Sequence, residues 1–211
     1  PLMKNVLADL ALESEASMAI ALRLGRAYDE ARTDEQAGAF ARIATAASKY
    51  HVCKRAPGMV YEALECFGGN GFVEEAPVAR LYREAPLNSV WEGSGNVMCL
   101  DVLRAMVREP DALDAVRQEL ASAAGVDRRY DAFVQRLSDL LANGKDAEIH
   151  ARRIVEHIAM ALQASVLLKA GNAVVSDAFV SARLSDSAGT NYGTLTADAD
   201  VDALIERAMP A

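Results

Sequence analysis

The chain is poor in aromatic residues, 6% of 211, although 52% of it is hydrophobic. A core without many large rings must be filled by small aliphatic side chains, which suits closely packed helices. Only three cysteines occur, Cys53, Cys66 and Cys99, scattered and without a Cys-x-x-Cys pair. That excludes a disulfide framework, points to a reducing, cytoplasmic setting, and leaves the three as small buried hydrophobes. No apolar run of about 18 residues is present and no signal peptide opens the chain, so a membrane partner is not expected. Positive charge is in deficit: the net charge of −8 argues against attraction of the whole chain to nucleic acid or anionic lipid, while a local patch stays open. There is no Gly-x-Ser-x-Gly elbow and no Cys/His pairing for nucleophilic hydrolysis. His51, His150 and His157 lack a Glu three residues before them, which removes a di-iron bundle. His150 and His157 share a helical face with Arg153 between them but lack further zinc ligands, so no metal site is expected.

What is present is helical period. Residues 2–29 read as one amphipathic helix with a stripe of Leu7, Leu10, Ala11, Ser14, Met18, Ala21, Leu22 and Gly25. Thr33 or Asp34 is the expected N-cap of a second helical run over 35–67. Pro57 should kink or interrupt that run, and Gly68-Gly69-Asn70-Gly71 should end it. Residues 72–91 read as irregular with one helical turn near 77–82, and another helix covers about 96–107. Arg108-Glu109-Pro110-Asp111 is the expected domain boundary, dividing a bundle over 1–109 from a second helical module over 110–211. In the second part helices are expected near 111–123, 128–142, 146–170, 173–185 and 198–208, punctuated by Gly125, Asn143-Gly144, Gly171-Asn172 and a polar loop over 187–196. With no strand alternation and no internal repeat, the fold class is all-α.

The stretch Trp91-Glu92-Gly93-Ser94-Gly95-Asn96 carries the most chemistry. It sets a carboxylate in a glycine-flexed corner before a helix whose N-terminal amides favour anions. A carboxylate beside an indole and backbone donors is what proton abstraction next to a carbonyl needs. The same residues also read as a capped helix start with an exposed glutamate. Gly68-Gly69-Asn70-Gly71 and Gly93-Ser94-Gly95-Asn96 lack a preceding strand and the third glycine of a dinucleotide fingerprint; each remains open as a turn or as a nest. Over 117–153, Arg117, Arg128, Arg129, Arg136, Lys145, Arg152 and Arg153 oppose six acids, a balance of +1. These cations are either a mixed solvated surface or, gathered on one face, a nucleic-acid contact.

Three segments in order, Leu64-Glu65-Cys66-Phe67-Gly68-Gly69-Asn70-Gly71-Phe72, Pro77-Val78-Ala79-Arg80 and Trp91-Glu92-Gly93, resemble the C-terminal signature of the acyl-CoA dehydrogenase family. The run from Arg83 to Arg104, with a further helical module behind it, is similar to the family's AidB-like, alkylation-response branch. The resemblance implies that Glu92 is the general base taking the α-proton of an acyl-CoA thioester while FAD accepts the β-hydride. It implies that the Gly93 amide helps hold the thioester carbonyl and that Trp91 lies by the flavin. Ser94, Gly95 and Asn96 would line FAD, and Gly68 and Gly69 would approach the FAD of a neighbouring subunit. Two departures stand out: Glu65 replaces the family's usual Gln, and Ser94 the usual Thr. The branch further implies a homo-oligomer, tetramer or dimer, and binding of double-stranded DNA through Arg128, Arg129, Arg136, Arg152 and Arg153. The family's N-terminal helical domain and β-domain have no counterpart in these residues. With a start at Pro1 inside a helical pattern, the expectation is the C-terminal portion of a longer protein, inactive by itself.

Overall fold

The computed structural model describes residues 1–142, 146–186 and 189–210. Asn143, Gly144, Lys145, Ser187 and Ala188, for which a helix break, a cation and a loop start are read from sequence, lie outside the described residues. The chain runs α1 (Leu2–Glu30), α2 (Glu35–Cys66), the single turn α3 (Gly69–Phe72), α4 (Pro77–Glu84) and a 3-10 turn (Ala85–Ser89). It continues through α5 (Gly95–Arg108), α6 (Pro110–Ala121), α7 (Arg128–Ala142), α8 (Ala151–Ala170), α9 (Ala173–Phe179) with a π turn (Val180–Leu184), and α10 (Val201–Ala208). Among the described residues there is no strand, and the protein is all-α.

Local chemistry sets most of the breaks. Asp34 has extended backbone and its carboxylate accepts from the Gln36 amide at 2.9 Å, starting α2. Gly171 closes α8 at φ +76, and the Asn172 side chain then accepts from the Val175 amide at 3.2 Å to open α9. Pro77 and Pro110 stand at the first positions of α4 and α6, where no amide donor is required. Pro57 does not interrupt α2, which is continuous from Glu35 to Cys66. Its missing amide simply leaves the Cys53 carbonyl without the usual donor.

α2 is the central element, touching α1, α5, α6 and α8. Its buried face is Ala37, Ala41, Ala44 and Ala47 with Phe40, Ile43 and Tyr50, and these alanines let the neighbouring helices approach closely. The core continues without a break past Glu109 into Ala112, Val116, Ile158 and Leu162. At that step Arg42 of α2 binds Asp101 in two-pronged fashion, 2.7 and 3.1 Å, and Glu109 at 3.1 Å.

The stripe expected on α1 is corrected. Of its members Leu10 is buried as expected, but Leu7, Met18 and Leu22 are 39%, 61% and 69% exposed, while Ala8, Leu12, Ala16, Ile20 and Ala27 are buried together with Asp9 and Glu13. The two carboxylates are inside because two arginines meet them. Arg55 donates to Glu13 at 2.6 Å, and Arg183 of the π turn donates to Glu13 at 3.2 Å and also to Asp9. The Gly193 amide gives Asp9 a further hydrogen bond at 2.8 Å, and the Tyr192 ring lies 4.7 Å from the Arg55 guanidinium. Asn5 exchanges two hydrogen bonds with the Leu195 backbone, 2.9 and 3.0 Å, so the 189–196 loop is strapped to α1. Burial pushes the Glu13 carboxyl up, but the Arg55 hydrogen bond and the charges of Arg55 and Arg183 outweigh it and hold it below its usual range. His51 in the same seam is pushed down to about 4 by burial.

Candidate active site

The site is a corner between the 3-10 turn and α5, laid over the middle of α2. The 3-10 turn packs on α2 and ends with the Val90 and Trp91 amides on the Leu87 carbonyl, at 2.9 and 3.2 Å. The backbone then reverses through Glu92 at φ +54 and Gly93 at φ +105. Glu92 is the only non-glycine residue with positive φ among the described residues. Such a conformation is costly for a side chain and persists only where its surroundings impose it. Gly93 is favoured by its φ, and a Cβ there would also have to displace the end of the Met98 side chain. At Gly95 a Cβ would meet Lys54 Cε at 2.7 Å and Tyr50 Cε2 at 3.4 Å, so a larger residue there would have to displace the end of the lysine side chain.

α5 opens without a side-chain cap from Ser94, and its first intrahelical bond is Met98 N to Ser94 O at 2.9 Å. The amides of Gly95, Asn96 and Val97 therefore have no acceptor within the helix. Trp91 is 56% exposed, and Glu92, Ser94 and Asn96 are exposed with it. The Glu92 carboxylate has no hydrogen bond or ion pair among the described residues. One turn further, Cys99 is buried, and burial pushes its thiol up to about 11, which makes it a packing residue rather than a nucleophile.

Two partners of this corner escaped sequence reading. Lys49 of α2 donates to the Trp91 carbonyl at 3.0 Å and to the Gly93 carbonyl. Arg152, at the start of α8, donates from Nε to the Asn96 side-chain oxygen at 2.9 Å. They lie 42 to 56 positions away from the groups they hold, so no local pattern marks them.

The second glycine run is not beside the first. Phe67 follows Lys54 by 13 residues along α2, about 20 Å at 1.5 Å per residue. There Gly68 turns at φ +58, Gly69 is open to solvent, and Gly71 is buried where a Cβ would collide with the Leu64 carbonyl. Glu65 is exposed and accepts from the Tyr61 hydroxyl at 3.2 Å. The Trp91–Asn96 corner offers uncapped amides and an exposed indole N–H, a donor set that fits the acceptor-rich edge of a flavin.

The arginines of the second part are drawn to separate neighbours. Arg129 binds Asp127 and Asp177, both at 2.6 Å. Arg136 donates to the Leu184 carbonyl at 2.8 Å and lies 5.4 Å from the Phe133 ring. Arg152 serves Asn96, while Arg128 and Arg153 are exposed and have no side-chain partner among the described residues. Among those residues no group of three or more His, Cys, Asp and Glu is placed to hold a metal ion, and no helix is long and apolar enough to cross a membrane.

Comparison with known proteins gives this geometry its context. Residues 1–107 match the acyl-CoA dehydrogenase C-terminal domain model. The chain is 39% identical over 189 residues to AidB of Escherichia coli (strain K12), covering 90% of this chain and 34% of that protein. It is 28% identical over 180 residues to acyl-CoA dehydrogenase family member 11 of Caenorhabditis elegans, covering 83% of this chain and 26% of that one. The crystal structure of C. elegans ACDH-11 in complex with C11-CoA superposes with a TM-score of 0.73 at 26% identity, over 85% of this chain and 34% of that chain. The chain thus spans about a quarter to a third of the length of these relatives. With half of its residues matching the domain model and most of the remainder within the AidB match, the chain belongs to the acyl-CoA dehydrogenase family, with the C-terminal domain at residues 1–107.

Proposed function

We propose that this chain supplies the base and one wall of a flavin-dependent acyl-CoA dehydrogenase site, with Glu92 taking the α-proton of an acyl-CoA thioester. The observation that carries the reading is the exposed, unpaired Glu92 carboxylate. It is held in a left-handed backbone beside an exposed indole and an uncapped helix start. Trp91, Gly93, Ser94, Gly95 and Asn96 would hold the isoalloxazine edge, and a bound FAD supplies the two-electron acceptance that this chemistry needs. The rest belongs to the protein. A hydrogen bond from the Gly93 amide to the thioester carbonyl would lower the cost of carbanion character at the α-carbon, and the Glu92 oxygen would receive the proton. Gly68 and Gly69, about 20 Å along α2, would serve the flavin of a second subunit. The exposed Leu2, Met3, Leu7, Met18 and Leu22 on α1 support self-association. The test is the absorbance of the purified full-length polypeptide carrying these residues. Flavin bands that bleach on adding a saturated acyl-CoA are expected; a flavin-free protein inert to acyl-CoA contradicts the reading.

A second reading is a DNA-binding module over residues 110–211. It is supported by the exposed, unpartnered Arg128 and Arg153, while Arg129, Arg136 and Arg152 are already engaged. Duplex binding that weakens steeply with salt is its expected outcome, and no binding at low salt contradicts it.

A further inference from the structure

The left-handed turn at Glu92 needs a cause, since neither its own side chain nor a cap from Ser94 holds it. The structure assigns that cause to Lys49: we infer that this lysine is the positioning residue that aims the Glu92 carboxylate. The inference rests on the acyl-CoA dehydrogenase reading above. One ammonium donates to the carbonyls of Trp91 and Gly93, the residues on either side of Glu92. In an extended chain the carbonyls of residues i and i+2 point to the same side but stand about 7 Å apart, too far for one nitrogen to bond both. The Trp91 carbonyl lies in the peptide plane that precedes Glu92 and the Gly93 carbonyl in the plane that follows Gly93, so drawing both onto one nitrogen holds the two ends of the Glu92–Gly93 turn and thereby restricts the direction of the Glu92 Cα–Cβ bond.

Lys49 is itself well anchored. It sits mid-way along the 32-residue α2, and its neighbours Ala46, Ala47, Ser48 and Tyr50 are buried in the core. The same stretch of α2 supports the corner again through Tyr50 and Lys54, which fill the space under Gly95. Lys49 touches the backbone of the corner and not the Glu92 carboxylate, so its role is geometric. A glutamine could supply donors to one carbonyl only if it reached that far. An arginine can supply several donors from a longer arm, and a methionine supplies none.

The experiment compares Lys49→Met, Lys49→Gln and Lys49→Arg with the wild type by two readouts. The first is backbone NMR of Trp91–Gly93, which reports the left-handed conformation at Glu92 without any flavin. The second is exchange of the thioester α-proton into D2O by the flavin-loaded full-length protein. Misplacement of a reacting group by about 1 Å can cost up to about 10²-fold. Lys49→Met should therefore move the Glu92 shifts away from left-handed values and slow exchange by about 10- to 100-fold. KM for the acyl-CoA should stay within about twofold, and Lys49→Arg should recover much of the rate. A merely structural lysine would lower the melting temperature in every variant without separating kcat from KM. Left-handed shifts and wild-type exchange in Lys49→Met would overturn the inference. Should wild type neither bind flavin nor exchange α-protons, the dehydrogenase reading fails on its own, and the NMR comparison still decides the clamp. If Lys49→Met does not fold, Lys49→Gln against Lys49→Arg decides the same question.

Discussion

The seam under the 189–196 loop and the corner at 91–96 treat charge in opposite ways. In the seam, Asp9 and Glu13 are almost wholly buried and each meets arginine. In the corner, Glu92 stands in solvent without a partner among the described residues, and it is the backbone around it that is held. Buried charges that satisfy one another fix how elements sit; the pairing is their whole use, since breaking it strands a charge in a low-dielectric interior. A free carboxylate on a constrained backbone adds nothing to stability. One arrangement builds the scaffold; the other, on the dehydrogenase proposal, serves chemistry.

Substitutions can break this contrast in order of size. Arg183→Met removes the partner of Asp9, which is 0% exposed, and should cost about 3–5 kcal/mol in chemical denaturation. In the same experiment, Glu92→Gln should leave the denaturation midpoint unchanged. The next effect is acid lability. His51 has its folded pKa lowered to about 4, against 6.5 when exposed. The unfolded chain therefore takes up a proton first as pH falls from about 6.5, and stability drops until the folded state titrates near 4. The loss should be about 3 kcal/mol across that window, and His51→Gln should flatten it. The lowered Glu13 pKa acts further down: its stabilisation is present above its ordinary 4.5 and is lost as pH falls below that. Smaller still, Asp34→Ala should cost about 1 kcal/mol by removing the N-cap of α2, measured as a shift in the melting curve. Smallest is the double change of Arg128 and Arg153 to alanine, which should alter stability by less than about 0.5 kcal/mol because neither side chain has a partner among the described residues. Any loss of duplex binding in that variant would then be a surface effect.

The sequence carries these two regions unequally. Helices with local signals were legible: Asp34, Gly171-Asn172 and Pro110 each sit where their chemistry ends or starts an element. The glycine corners were legible too, because order and spacing along the chain are what a family resemblance records. The buried face of α1 was not. Its inner side includes Asp9 and Glu13, and hydrophobic periodicity counts a carboxylate as solvent-facing when the arginine that neutralises it is 42 or 170 residues away. Lys49 and Arg152 were missed as partners of the corner for the same reason, since each holds it across 42 or more residues. The same limit applies to Pro57, whose expected interruption is overruled by the packing of α2 among its neighbouring helices.

The most direct test is the exchange of an acyl-CoA α-proton into D2O, followed by mass in the flavin-loaded full-length protein, for wild type against Glu92→Gln. Loss of about 10³-fold in exchange with flavin binding and melting temperature unchanged is the predicted result. Exchange at the wild-type rate in Glu92→Gln would contradict the assignment of Glu92 as the base.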